Sequence, residues 1–150
     1  MTIAYRFVEK NDKKILTKHI KQFYTEDTYA KNITDEKISS TFTELEQHPE
    51  KGCFLLVEDN NEIIGYALLI NYWSNEYGGN LLHIDEIYIT PSYRGKGIGT
   101  QFLNYIITKQ FNQPVAIPLE VTKHNKKVIK FYQKFGFKKS PYTRLIYEYK

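Results

Sequence analysis

Residues 84 to 103, Ile-Asp-Glu-Ile-Tyr-Ile-Thr-Pro-Ser-Tyr-Arg-Gly-Lys-Gly-Ile-Gly-Thr-Gln-Phe-Leu, constrain this chain more than any other stretch. An apolar run of strand type feeds a glycine-rich loop. The loop passes straight into an amphipathic helix through Ile98, Phe102, Leu103, Ile106 and Ile107. Gly95, Gly97 and Gly99 remove side chains from alternate positions, so the loop backbone can approach a ligand closely and adopt φ values that a Cβ forbids. Unpaired amides at the helix start and the helix dipole both favour an anion there. The pattern predicts a ligand carrying a di- or triphosphate.

Spacing disfavours two common phosphate loops. A dinucleotide fingerprint, Gly-x-Gly-x-x-Gly, needs its third glycine at position 100, which is Thr100. A nucleotide-hydrolase loop needs Ser or Thr after its Gly-Lys pair, and Gly97 stands there. What remains, Arg94-Gly-Lys-Gly-Ile-Gly99, resembles Arg/Gln-x-x-Gly-x-Gly/Ala, the pyrophosphate signature of the GNAT superfamily of N-acetyltransferases. Downstream, Asn125-Lys-Lys-Val-Ile-Lys-Phe-Tyr-Gln-Lys-Phe-Gly-Phe137 is similar to that superfamily's second motif, with Val128, Phe131, Tyr132, Gly136 and Phe137 in register.

The resemblance implies acetyl-CoA as cofactor. Its pyrophosphate would be held by Arg94, Gly95, Lys96, Gly97, Ile98, Gly99 and Thr100. Its pantetheine would pair with the backbone of Ile87, Tyr88 and Ile89, and Asn125 and Phe131 would contribute from the second motif. Acyl transfer to an amine poses a proton problem, because an alkyl ammonium has a pKa of roughly 10. Glu86, within an otherwise apolar strand, corresponds to the acidic residue that often serves such enzymes as base, directly or through water. Asp85 falls on the opposite face of an ideal strand. Tyr132 resembles the superfamily's general acid, a phenol able to protonate the leaving thiolate; Val128, Phe131, Tyr132 and Phe135 also form a helical core stripe that explains a tyrosine without catalysis. Asn125 has a similar second reading as a helix cap.

The resemblance places the acceptor groove near Phe23, Tyr24, Tyr29, Trp73, Glu76, Tyr77 and Asp85. Aromatic rings with carboxylates suit a cation. The expected substrate is therefore a primary amine, either a small cation such as a polyamine or aminoglycoside, or a peptide amine. The alternative is a non-catalytic acyl-CoA-binding regulatory module. A second copy of the chain is a candidate partner. His83, His124 and Cys53 share no metal-ligand spacing, so no metal is expected.

Composition narrows the remaining classes. At 150 residues the chain fits one domain, 1–150. The net charge of +4 is spread over isolated Lys and Lys-Lys pairs, which is weak support for nucleic acid; Lys123, Lys126, Lys127 and Lys130 suit either coenzyme A phosphates or a solvated face. Cys53 is the single cysteine and opens an apolar run, which suits a reducing cytoplasmic setting. The charged N-terminus reads as neither signal peptide nor membrane span.

Periodicity predicts strands at 3–8, 54–58, 63–71, 81–90, 115–121 and 145–149, with helices at 12–24, from 35 to before Pro49, after the glycine loop, and at 125–135. The stretch 72–80 reads as a long hairpin loop. The expected fold is α/β (α+β): one twisted, mixed, mostly antiparallel sheet with a central parallel strand pair, flanked by helices.

Overall fold

The structure, a computed structural model, describes all 150 residues. The chain falls into two compact units, Met1–Glu120 and Val121–Lys150. In the first, β1 (Ile3–Phe7), β2 (Gly52–Asp59), β3 (Glu62–Ser74) and β4 (Gly79–Ile89) form an antiparallel sheet in chain order. Helices α1 (Lys13–Glu26) and α2 (Asp35–Gln47) fall between β1 and β2, and α3 (Ile98–Lys109) follows the glycine loop. Thr34 caps α2, accepting from the Lys37 amide at 3.2 Å. Asn60 and Asn61, both at positive φ, make the two-residue turn between β2 and β3.

Alternation along the strands sorts side chains into two layers. Phe54, Leu56, Tyr66, Leu68 and Tyr88 share one face and pack with Leu16 and Ile20 of α1 and Ile38 of α2. On the other face Tyr5, opposite Val57, stacks on Phe102 and Tyr105 of α3 at ring distances of 5.5 and 4.1 Å.

Three expectations need correction. The 72–80 stretch is mostly strand: Tyr72, Trp73 and Ser74 pair with Leu81, Asn80 and Gly79, leaving a tight turn at 75–78. Residues 115–121 form no continuous strand. They make two parallel bridges to β4, Leu81 with Ala116 and Ile84 with Leu119, because Pro114 and Pro118 have no amide to give a ladder. These bridges supply the parallel element of the sheet. The segment 145–149 is not a strand either; Leu145, Ile146, Tyr147 and Tyr149 are exposed and carry no ladder pairing.

The second unit is built on α4 (Lys126–Gln133). Asn125 caps it by accepting from the Val128 amide at 3.3 Å. Its far end closes in a Schellman turn: Gly136, at φ +100°, donates to Gln133 O, and Phe137 donates to Tyr132 O. The Tyr132 and Phe137 rings meet edge to face at 5.5 Å, the apolar contact that accompanies such a turn. No helix in the chain is long and apolar enough to cross a membrane.

Candidate active site

A β-bulge in β4 creates the site's central feature. Leu68 pairs with Glu86 while the next residue of β3, Leu69, pairs with Ile84, so Asp85 is an extra residue on β4. One inserted residue reverses the alternation. Ile84 therefore joins the α3 layer, and Glu86, only two residues on, turns to the α1 layer with Tyr66 and Leu68. Asp85 is left exposed, 3.9 Å from His83.

Glu86 is 7% exposed. A carboxylate at such depth needs donors, and it has two: Tyr24 of α1 donates to Oε2 at 2.6 Å and Tyr66 of β3 to Oε1 at 2.7 Å. Burial pushes the Glu86 carboxyl above its ordinary value, the Asp85 charge adds to this, and the two phenol bonds oppose it. Burial and the Glu86 carboxylate push both phenols up as well, so Tyr24 and Tyr66 hold their protons.

The bulge also decides which amides of β4 face outward. Thr90 donates to Ile64 O at 2.8 Å, and alternation from that bond turns Tyr88 and Glu86 toward β3 and the amides of Ile87 and Ile89 away from it. Below the bulge the outward amides are those of Leu82 and Ile84, both taken by Ala116 O and Pro118 O. The last bridge is at Ile84. Past it the edge from Asp85 to Ile89 carries no backbone pairing, which leaves room for an extended amide-bearing ligand.

That edge leads into the loop. Gly95 and Gly97 take φ of +76° and +80°, and Gly97 is the N-cap of α3. A Cβ built at Gly95, Gly97 or Gly99 meets no atom within 4 Å. The glycines thus keep open a space that side chains would fill. The first helical bond of α3 is from Gln101 to Gly97 O, so the amides of Ile98, Gly99 and Thr100 precede it and have no helical partner. The Ile98 side chain is buried, so only its backbone serves a ligand. Thr90 Oγ1, buried without a partner, sits in the chain between edge and loop. These features fit a pantetheine-diphosphate cofactor.

The side chains of the loop behave differently from its backbone. Arg94 is occupied within the protein, its Nε donating to Ile89 O at 2.8 Å and its guanidinium lying 5.4 Å from the Tyr88 ring centre. Lys96 lies over Tyr93 at 5.3 Å.

Of the acceptor residues, the structure brings together Phe23, Tyr24 and Glu86: the Phe23 ring is 5.3 Å from Tyr24 and 6.4 Å from Tyr66. Tyr29 is exposed in the connection after α1. Trp73, Glu76 and Tyr77 are not brought to Glu86. Trp73 lies five register positions past Leu68, about 17 Å along the strand and on the opposite face, and Glu76 and Tyr77 lie beyond it in the turn. Tyr132, Phe131 and Asn125 belong to the second unit. Burial pushes the Tyr132 phenol up, so it too keeps its proton.

Sequence reasoning missed Tyr66. Its signal was a phenol inside the apolar run Ile-Ile-Gly-Tyr-Ala-Leu-Leu-Ile, where a buried hydroxyl requires a partner.

The chain belongs to the acetyltransferase (GNAT) family, whose model matches residues 17–137. It is 29% identical over 90 residues to a peptidyl-lysine N-acetyltransferase of Salmonella typhimurium, covering 60% of this chain and 52% of that protein. It is 32% identical over 75 residues to the thialysine N-epsilon-acetyltransferase of Mus musculus, covering 49% of this chain and 44% of that protein. The match spans about half the length of these relatives. A possible acetyltransferase from Clostridium difficile 630 shares the fold, with a TM-score of 0.86 and 22% identity over 99% of both chains.

Proposed function

We propose that the chain is an acetyl-CoA-dependent N-acetyltransferase that acylates a primary amine by direct attack in a ternary complex. The observation that carries this reading is the placing of a buried carboxylate within an unpaired stretch of strand edge, which in turn leads into an open glycine cradle. Glu86 would take the amine proton, the amides of Ile87 and Ile89 would hold the extended arm of the cofactor, and the amides from Gly95 to Thr100 would hold its pyrophosphate. Acetyl-CoA would supply the thioester. Tyr132, with its phenol held protonated, would serve as acid for the departing thiolate.

Two relatives named for lysine and thialysine support an amine at the end of a cationic side chain as acceptor. Phe23 and Tyr24 beside Glu86 and the nearby Asp85 charge supply aromatic and acidic character, and Tyr29 would add to it from the connection after α1. The family match runs from the first unit into the second, which supports one functional domain over 1–150. Cys53 is a poor nucleophile, since burial pushes its thiol to about 11.

The test is coenzyme A release from acetyl-CoA with a lysine-containing peptide, thialysine, an aminoglycoside and spermidine as acceptors. Release that depends on one of these amines is expected. Acetyl-CoA binding with no amine-dependent release would favour a binding module instead.

A further inference from the structure

Tyr24 is the least buried member of the Glu86 cluster. Tyr66 is fully buried, Glu86 is 7% exposed, and Tyr24 is half-buried. An acceptor amine approaching along the Tyr24 side chain would meet its hydroxyl before it meets the carboxylate to which that hydroxyl donates. We propose that Tyr24 is a catalytic proton relay: the amine passes its proton to Tyr24 Oη as Tyr24 passes its own to Glu86 Oε2. This rests on the acetyltransferase reading above and names the group that would touch the substrate.

The step balances without a further reactant. An N–H bond of the ammonium breaks and an O–H bond to Tyr24 forms; the former Tyr24 O–H bond breaks and an O–H bond to Glu86 forms. Ammonium and carboxylate become amine and carboxylic acid, and the tyrosine ends neutral. The 2.6 Å separation of Tyr24 Oη and Glu86 Oε2 already provides the second half of the path. Both transfers must move together, because burial and the facing carboxylates of Glu86, Asp85 and Asp27 oppose a free tyrosinate. Tyr66, from β3, holds Oε1 and leaves Oε2 for the relay. It is a positioning residue. The groups facing Glu86 are thus Tyr24 from α1, Tyr66 from β3 and Asp85 from its own strand.

The experiment uses the full chain with acetyl-CoA and whichever panel amine is the best acceptor. Tyr24→Phe keeps the ring and removes the relay oxygen. Turnover should fall about a hundredfold, acetyl-CoA affinity should hold, and the deficit should shrink as pH rises toward the amine's own pKa of about 10. In mixtures of light and heavy water the wild type should show the curved dependence of two protons in flight, and Tyr24→Phe a linear one. Tyr66→Phe should cost turnover less than tenfold and keep the curved dependence.

If Tyr24→Phe retained wild-type turnover while Glu86→Gln lost it, the relay would be wrong and the carboxylate would act directly or through water. Loss of turnover in Tyr24→Phe with the curved dependence intact would reduce Tyr24 to a packing or binding group. Failure of every panel amine to release coenzyme A would overturn the acetyltransferase reading and the relay with it.

Discussion

Arg94 and Glu26 join the glycine loop to the last residue of α1, with Arg94 Nη2 lying 2.9 Å from one carboxylate oxygen and 3.1 Å from the other. The pair is partly exposed, and its worth to stability is about 1 kcal/mol or less. Its value is positional, since Tyr24 sits two residues before Glu26 on the same turn.

Arg94→Lys should leave the melting temperature nearly unchanged. A lysine cannot reach Ile89 O and Glu26 together as the planar fork does. Hydrogen exchange of the last turn of α1 should therefore speed up, and turnover should fall more than acetyl-CoA affinity. Unchanged protection at Tyr24 and Glu26 would mean that packing alone fixes the turn.

Gly97→Val should weaken acetyl-CoA binding far more than Lys96→Ala. A β-branched residue at φ +80° is strained, and its side chain would enter the space the glycines keep open. The Lys96 charge is screened by solvent. Calorimetric titration giving the reverse order would assign the phosphates to side-chain charge.

Tyr132→Phe keeps the ring that meets Phe137 in the Schellman turn and removes only the hydroxyl. Stability and acetyl-CoA affinity should hold while turnover falls about 10²-fold, the scale of a general acid. Full turnover, with chemistry shown to limit the rate, would leave the phenol a packing residue.

Glu86→Gln should separate stability from activity. The folded carboxyl titrates above its unfolded value of about 4.3, so its contribution to stability is fully present below that value and is lost as pH rises through the folded pKa. The variant should therefore gain stability relative to wild type from acid to neutral pH, while its turnover falls. Urea denaturation at several pH values checks the first claim; a difference independent of pH would contradict the buried, raised carboxyl.

Cys53→Ala should leave turnover within twofold, because a thiol held near 11 is almost wholly protonated at neutral pH. Loss of transfer in a folded variant would require an acyl-enzyme and end the direct mechanism.

The glycine loop and the cap at Asn125 were legible because each depends on a few adjacent residues. Glu86 was legible as an acid in an apolar strand. Its orientation was not, because the Asp85 bulge is a property of the pairing between β3 and β4 and not of either strand alone. The same reason hid Tyr66, which becomes a partner only when Leu68 lies beside Glu86. Trp73 was misplaced because a run rich in Ser, Asn and Gly reads as loop, yet its flanks continue the ladder to Ser74 and Gly79. Strand character at 145–149 came from local propensity, which cannot supply the neighbour that a strand needs.

The extra residue in β4 acts as a phase shift between two halves of one strand. Every side chain before it is read in one parity and every side chain after it in the other, so the chemistry of this sheet is set by a length and not only by residue types. Substitution at position 85 leaves the phase intact. Drawing that one residue into the ladder would undo the shift, and whichever half kept its register, the other would present its residues to the wrong layer. Either the acid would face the α3 layer, or Ile84 would leave it. A sequence drifting by substitution can lose its carboxylate and regain it, but a slip in pairing here exchanges inside for outside along half a strand.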